Sequence, residues 1–222
     1  MVDTALKKQL AEAAQKLELC LSENQQTQML EYLAQMQRWN KTYNLTAIRD
    51  VGQMLTQHVV DSLAIVKPLQ DVLGDKPATI ADIGSGGGLP GVVLAIACPH
   101  WTVHCVDAVE KKMAFVRQMS GVLGLPNLKA IHQRVEALQP LQADIVVSRA
   151  FASLLDFATL AGGHVRSGGW LVAMKGKQPD EEITILNAQT EWKVQSVQQL
   201  EVPLLQAQRC LVWISREGNA CH

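Results

Sequence analysis

The sequence lacks any excess of charge and any long apolar run. Its 222 residues carry 20 basic and 21 acidic side chains, for a formal net charge of −1. This balance excludes binding to nucleic acid through a general positive field, so any contact with RNA must depend on local cations. No apolar run approaches the roughly 20 residues that a membrane-spanning helix needs, so we expect no membrane partner.

Paired cysteines are missing as well. Cys20, Cys98, Cys105, Cys210 and Cys221 form no Cys-x-x-Cys pair and no cluster with histidine at zinc-ligand spacing. We therefore expect no metal. The unpatterned cysteines indicate a reducing compartment, and the polar, mixed first ten residues do not resemble a signal peptide. The expected protein is cytoplasmic, and we expect a monomer.

The first part of the chain has the periodicity of helices. Leucine and methionine recur at three-to-four spacing over residues 4–38. Ser22 followed by Gln25 has the spacing of a capping box that begins a second helix. A further helix is predicted over Met54–Val66, and Pro68–Pro77 predicts a loop that separates this helical part from the remainder of the chain.

A glycine-rich turn, Asp82–Gly91, stands between a strand-like and a helix-like run. Glycine lets a ligand approach the backbone without a Cβ in the way, which predicts a nucleotide-like ligand at the carboxyl edge of a parallel sheet. Leu89 and Pro90 crowd the place of a pyrophosphate, and Asp82 would repel one. S-adenosylmethionine (SAM), with an ammonium group and no phosphate, fits better than a nicotinamide dinucleotide. A packing turn without a ligand is the alternative. The turn residues expected to serve the cofactor include Asp82, Gly84, Gly86, Gly88 and Leu89.

From residue 78 onward, strand-like and helix-like runs alternate, which predicts a parallel, doubly wound sheet. Val194–Leu200 and Arg209–Ser215 have no clear helix between them and predict a closing antiparallel hairpin. The fold class is therefore α/β, a mostly parallel Rossmann-like SAM-dependent methyltransferase sheet. We expect an N-terminal helical cap over residues 1–70 and the SAM-binding domain over residues 71–222. The predicted strands are Thr79–Asp82, Thr102–Asp107, Leu128–His132, Ala143–Ser148 and Trp170–Met174, and the helices between them are Leu89–Ala97, Lys111–Leu123 and Leu154–Ala161.

Two later strand ends bear on an adenosine ligand. Asp107 ends the second predicted strand, where an acid accepts hydrogen bonds from ribose hydroxyls. This supports an adenosine ligand without separating SAM from a nicotinamide cofactor, and a helix cap is the alternative. Val135 and Glu136 follow the third strand, at the edge that borders adenine in such folds, although an ordinary exposed loop would look the same.

The segment Ser148–Ser153 follows the fourth predicted strand, where a transferred methyl group should lie. It lacks the Asn/Asp-Pro-Pro-aromatic motif of enzymes that methylate adenine amines, and no cysteine stands at a catalytic strand end for pyrimidine C5 methylation. Guanine N7 has an in-plane lone pair and no proton to lose, so its methylation needs mainly alignment. Arg149 fits as a ligand of SAM or of guanine O6, because an arginine on N7 would block the attack.

Three polar groups allow two interpretations each. Arg38–Asp50 mixes cations, aromatics and amides that suit RNA, or it is a helix end where Trp39 packs on the core and Asn44 and Thr46 cap the next helix. His58 and Asp61 share one helix face and indicate a structural polar cluster more than a catalytic triad. Lys175 ends the fifth strand and suits either an RNA phosphate or a solvated loop.

These strings together resemble the RsmG (GidB) family, bacterial methyltransferases of a guanine N7 in 16S rRNA. The resemblance runs in order from about Leu33 to Ile214, and the string Trp-Asn-Lys-x-Tyr-Asn-Leu-Thr, here Trp39–Thr46, is specific. It implies a SAM-binding domain behind a helical cap and a substrate of 16S rRNA, in the assembled 30S subunit. The strings are Trp39–Thr46, His58-x-x-Asp61-Ser62, Asp82–Gly91, Ser148–Ala152 and Lys175-Gly176. The implied SAM contacts are Gly84, Leu89, Val135, Glu136 and Arg149. The residues implied to shape the target pocket are Asn44, His58 and Asp61, which with Arg149 form the expected catalytic set. The expected RNA contacts are Arg38, Lys41 and Lys175.

The leading hypothesis is therefore SAM-dependent methylation of guanine N7 in 16S rRNA. A SAM-dependent methyltransferase of a small molecule is the alternative. A non-catalytic nucleotide-binding module is a third hypothesis, and it predicts saturable binding of an adenosine ligand without turnover on RNA.

Overall fold

The structure is a computed structural model that describes residues 4–149 and 151–216. Cys221, and Ala150 of the segment Ser148–Ser153, lie outside the described residues.

Two long helices begin the chain, as the periodicity predicts. α1 spans Thr4–Lys16 and α2 spans Glu23–Tyr43. The Ser22 side chain accepts from the Gln25 amide, and the Gln25 side chain accepts from the Ser22 amide, so the predicted capping box is confirmed. α2 ends at Asn44, whose left-handed backbone (φ 49°) serves as the C-cap.

The segment after α2 forms several short helical pieces instead of the single helix predicted over Met54–Val66. The last piece is a helix over Val66–Leu73, and Pro68 is its third residue. The missing N–H of Pro68 costs nothing there, because first-turn amides lack intrahelical partners. The predicted loop over Pro68–Pro77 is therefore wrong in its first part. The expected domain boundary at residue 70 falls inside this helix, and the division into two domains stays a prediction. The segments are α3 (Val51–Met54), a π-helical turn (Leu55–Val60), α4 (Asp61–Leu63) and α5 (Val66–Leu73).

Within the described residues, seven strands form one sheet in the order β3-β2-β1-β4-β5-β7-β6. β1 to β5 run parallel, whereas β7 pairs antiparallel with both β5 and β6. The predicted fold class, with its antiparallel hairpin, is confirmed. β1 lies between β2 and β4, so the strand order reverses there. The strands are β1 (Ala78–Ile83), β2 (Trp101–Asp107), β3 (Leu128–His132), β4 (Ala143–Ser148), β5 (Val165–Lys175), β6 (Trp192–Leu200) and β7 (Arg209–Arg216).

In residues 78–149 and 151–216, four α-helices connect the strands and cover both faces of the sheet. The last of them was not predicted, because it buries a single described side chain, Leu186, and so has little apolar periodicity. The helices are α6 (Gly91–Ala97), α7 (Glu110–Val122), α8 (Leu154–Ala161) and α9 (Asp180–Gln189).

Successive side chains of β1 point to opposite faces of the sheet and pack into two different apolar cores. Ile80 belongs to a core shared with α2, α6 and α7, whereas Ala81 and Ile83 belong to a core shared with α8 and α9. Leu33 and Met36 of α2 are buried in the first core. The N-terminal helices therefore form part of the same core as the sheet.

Candidate active site

The reversal of strand order at β1 brings two loops together. The glycine turn begins at the end of β1, and Arg149 follows Ser148, the last residue of the neighbouring strand β4. The Ser148 hydroxyl donates to the Ile83 carbonyl at 2.6 Å, which fixes the two strand ends to each other. In open α/β sheets, ligands bind in the crevice at such a reversal, beyond the carboxyl ends of the strands.

The glycine turn has a backbone that only glycine adopts freely. Gly84, Gly86 and Gly88 have φ of 71°, 59° and 93°. A Cβ at Gly88 would overlap Val92 of α6, whereas a Cβ at Gly86 would meet no heavy atom within 4 Å. The turn thus packs tightly on its inner side and presents bare backbone to open space on its outer side.

Asp82 lies beneath the turn and not in the crevice. Its side chain has 0% exposure, and its Oδ2 accepts from the Gly91 amide at 2.7 Å. A Cβ at Gly91 would overlap Cys105 Sγ. Burial raises the pKa of Asp82 from 3.8 to about 7, although the Gly91 hydrogen bond lowers it. Asp82 therefore secures the start of α6, and the direct cofactor contact expected of it stays a prediction that its burial does not favour.

Asp107 supports the turn from β2. Its Oδ2 accepts from the Gly86 amide at 2.9 Å, and its Oδ1 accepts from the Val109 amide at 2.8 Å. Val109 is the N-cap residue of α7, but no side chain caps the first-turn amides of α7 among the described residues, so the alternative role of Asp107 as a helix cap stays a prediction. The contact with a ribose stays a prediction.

A cavity of about 190 Å³ lies directly against the turn. The turn forms one wall of the cavity, and the segment after α2 and the π-helical turn form the other. Arg149 closes one side. The lining residues from outside the turn are Met36, Leu45, Thr46, His58 and Arg149.

A second cavity of about 380 Å³ adjoins the first. It shares His58 and Arg149 with the first cavity, so these two side chains stand between them. The ends of β5 and β7 form its far side. Its other lining residues are Ile48, Gln57, Asp61, Met174, Lys175, Gly176 and Arg209.

A buried carboxylate holds two arginines at the second cavity. Asp61 is 2% exposed; its Oδ1 accepts from Arg209 Nε at 2.8 Å and its Oδ2 from Arg149 Nη1 at 3.3 Å. Arg149 also donates to the Gln57 carbonyl at 3.1 Å. A buried charge must be paired, and here the pairing orients two guanidinium groups at one site. Sequence reasoning missed Arg209, because Asp61 lies 148 residues away along the chain.

His58 is buried and neutral. Its pKa is lowered from 6.5 to about 4, mainly by burial and next by the charge of Arg149. Nε2 lies 2.9 Å from Thr46 Oγ1, whereas Nδ1 has no hydrogen-bond partner among the described residues. At physiological pH His58 therefore offers a neutral imidazole at the border of the two cavities.

Asn44 lines neither of the two cavities, and its expected place in a target pocket stays a prediction. It is exposed, and its Oδ1 accepts from Arg49 Nη2 at 2.9 Å. The prediction that Asn44 caps the following helix is wrong, because Asn44 ends α2 and Asp50 caps α3 through the Gln53 amide. Thr46, two residues on, lines the first cavity instead.

The cations expected to contact RNA differ in their surroundings. Arg38 and Lys41 are exposed near the end of α2. Lys175 is largely buried and pairs with Glu182 at 2.9 Å, while it also donates to the carbonyls of Phe151 and Ala152. Lys175 therefore braces the loop after β4, and its expected contact with RNA stays a prediction.

Val135 and Glu136 form a short 3₁₀ turn after β3. The Val135 carbonyl lies 3.0 Å from His164 Nε2, and Glu136 is exposed. Val135 and Glu136 line neither cavity, and their contact with adenine stays a prediction.

Neither a metal cluster nor a membrane-spanning helix occurs in the described part of the chain. No group of three or more histidine, cysteine or acidic side chains among these residues is placed to hold a metal ion. No helix in the same part of the chain has the length and apolar character to span a membrane.

The fold and the glycine turn define a class of protein. A SAM-dependent methyltransferase from Aquifex aeolicus superposes with a TM-score of 0.54 at 17% identity, covering 73% of this chain and 92% of that chain. The 1,6-didemethyltoxoflavin-N1-methyltransferase of Burkholderia thailandensis, crystallised with S-adenosylhomocysteine, gives 0.56 at 14% identity, covering 84% and 89%. The fold is that of the Rossmann-like SAM-dependent methyltransferases.

The family within this class is shown by closer relatives. The model of the GidB family, rRNA small subunit methyltransferase G, matches residues 25–212. The ribosomal RNA small subunit methyltransferase G of Bordetella petrii is 64% identical over 208 residues, 93% of this chain and 82% of that protein. The Bordetella pertussis protein of the same name is 60% identical over 215 residues, 95% and 94%. The chain belongs to the rRNA small subunit methyltransferase G family, which confirms the resemblance drawn from its motifs.

Proposed function

We propose that this protein transfers the methyl group of SAM to N7 of a guanine in the 16S rRNA of the small ribosomal subunit. Family membership supports the reaction class and the rRNA substrate. The observation that carries the proposal is the pair of adjoining cavities with Arg149 and His58 between them, one against the glycine turn and one against two arginines. Such an arrangement provides neighbouring places for a methyl donor and for a base.

The first cavity suits SAM. Bound SAM supplies an electrophilic methyl group on a sulfonium centre. The bare backbone around Gly84, Gly86 and Leu89 would hold the amino-acid end, with Gly88 keeping the turn packed on α6. Asp107 would accept from the ribose while it holds the Gly86 amide, and Val135 with Glu136 would border the adenine. Asp82, buried beneath the turn, would support the site indirectly by accepting a hydrogen bond from the Gly91 amide.

The second cavity suits the guanine. Asp61 aims Arg149 and Arg209 at this space, and a guanidinium is a good donor to guanine O6. N7 carries a lone pair and no proton, so alignment by these groups suffices and no side chain has to remove a proton. Neutral His58 separates the donor and acceptor places without adding a charge.

The helical cap over residues 1–70 and the Rossmann-like domain over residues 71–222 would each supply one wall of the site. The cap contributes Thr46 and His58, and the domain contributes the turn and Arg149. We infer that the protein acts as a cytoplasmic monomer on rRNA within the 30S particle, with the exposed Arg38 and Lys41 on phosphates.

The test is a labelling assay. Purified protein and SAM tritiated on the methyl group are incubated with 30S subunits from a strain that lacks this protein, and the label should appear in 16S rRNA at guanine N7. Subunits from the parent strain, already modified, serve as the control and should take up little label. Absence of label in free rRNA, 30S subunits and precursor particles would overturn the proposal, as would label at another atom of the base.

A further inference from the structure

One face of α2 is joined to the ends of α6 and α7 by side chains that donate to backbone carbonyls. Gln25 Nε2 donates to Ile96 and Ala97 at 2.8 and 3.0 Å, and Gln28 Nε2 donates to Leu123 at 2.7 Å. These carbonyls lie at the C-terminal ends of α6 and α7, where backbone carbonyls have no partner within the helix. The two glutamines therefore supply the missing hydrogen-bond donors. One turn further along the same face, Tyr32 donates to a carbonyl of a different kind.

Tyr32 Oη donates to the Gly87 carbonyl at 2.7 Å. Tyr32 has 0% exposure, and its ring stacks on Phe115 with centroids 6.0 Å apart, so the hydroxyl has a fixed position. Burial raises the pKa of Tyr32 well above its usual value, and the group therefore stays protonated and remains a donor. Gly87 lines the first cavity, so this contact links α2 to the cavity wall.

The peptide unit that follows Gly87 depends on such a contact. It joins Gly87 to Gly88, which has φ of 93°, and neither residue has a Cβ to restrict rotation. The Gly88 amide donates to the Ser85 carbonyl at 2.8 Å, so Ser85 holds one end of the unit and Tyr32 holds the other. Loss of the hydroxyl would leave a buried carbonyl without this partner, and the peptide unit would then be held at its amide end by Ser85 and no longer at its carbonyl end.

We propose that Tyr32 is a positioning residue for SAM: it fixes the orientation of the Gly87 carbonyl, and so the shape of the turn that receives the cofactor. The inference rests on the proposed use of the first cavity by SAM and extends it to a residue of the helical cap. Tyr32 touches neither cavity, so it acts through the turn and not on the ligand.

The experiment compares full-length wild type, Tyr32→Phe and Gln28→Ala. Gln28→Ala is the matched control, because it removes a donor from the same face of α2 that serves a carbonyl remote from the turn. Calorimetry with S-adenosylhomocysteine should show about 5- to 30-fold weaker binding for Tyr32→Phe, since the buried carbonyl loses its partner. Gln28→Ala should lower the free energy of unfolding, measured with denaturant, by about as much as Tyr32→Phe lowers it. Its affinity for S-adenosylhomocysteine should stay at the wild-type value.

Kinetics separate positioning from a merely structural role. On 30S subunits, Tyr32→Phe should raise KM for SAM by a similar factor and keep kcat at saturating SAM, because Arg149 and Asp61 are untouched. A structural defect would reduce kcat through the active fraction and leave KM unchanged, and KM remains informative even if part of the variant is unfolded. Equal affinity for wild type and Tyr32→Phe, or equal weakening by Gln28→Ala, would overturn this inference alone. Wild type that binds no S-adenosylhomocysteine would overturn the proposed function, and this inference with it.

Discussion

Replacing Asp82 with asparagine should remove a titration that makes the folded protein less stable as the pH rises. Asp82 is fully buried, and its pKa is raised from 3.8 to about 7 by that burial. Between these two pH values the folded chain keeps a proton that the unfolded chain has lost. The unfolded state therefore gains relative stability as the pH increases through this window. Asparagine fits the same volume, keeps an oxygen for the Gly91 amide and does not titrate.

The magnitude is set by the size of the pKa shift. One pKa unit corresponds to about 1.4 kcal/mol, so the raised pKa of Asp82 costs at most about 4 kcal/mol of folding free energy above pH 7. Between about pH 5 and pH 7, the unfolding free energy of wild type minus that of Asp82→Asn should fall by about 2–3 kcal/mol.

The assay is chemical denaturation of both proteins at several pH values, without SAM, so that ligand binding does not contribute. The difference between the two proteins is the informative quantity. His58, whose pKa is lowered to about 4, titrates in the opposite sense and gains stability as the pH rises toward its unfolded value. His58 is present in both proteins, so its contribution cancels. A difference that stays constant with pH, or that grows in favour of wild type, would refute the buried, proton-retaining carboxyl.

Three further predictions concern the site. Asp107→Ala should weaken SAM binding by about 1–3 kcal/mol, because the Gly86 and ribose partners lose their acceptor, and unchanged affinity by calorimetry would contradict the assignment. Arg149→Ala should lower single-turnover methylation about 100-fold, with a much smaller loss of stability since Arg209 still pairs with Asp61; wild-type turnover would exclude this role. The double change of Arg38 and Lys41 to glutamine should weaken 30S binding and reduce its dependence on salt by about one phosphate contact per cation, with unchanged binding of S-adenosylhomocysteine; an unaltered salt dependence would contradict a phosphate contact.

Local signals predicted much of the fold. The alternation of strand-like and helix-like runs identified five parallel strands and the hairpin, and Ser22 with Gln25 identified the start of α2. The glycine turn was recognisable because its unusual φ angles demand a particular residue type at fixed positions. In each case, residues that are close together in the sequence determine the local structure.

Contacts between distant segments were not predictable in the same way. Asp61 meets Arg209 only because β7 returns to the edge of β5, and no spacing in the sequence encodes that pairing. The position of Lys175 at a strand end predicts contact with RNA phosphate or with solvent, yet Glu182 of α9 forms an ion pair with it. The family resemblance implies a place for Asn44 in the target pocket, but no local signal predicts its left-handed backbone at the end of α2 or its contact with Arg49.

The glutamine contacts of α2 have a consequence for protein engineering. The side chains of Gln25 and Gln28 donate hydrogen bonds to carbonyls at the ends of α6 and α7. These carbonyls therefore depend on α2 for their partners. A shortened enzyme that begins at residue 71 would expose these groups together with the apolar residues that now face Leu33 and Met36. We therefore expect residues 71–222 alone to be unstable, and we expect a fusion partner to be tolerated better before α1 than near residue 70.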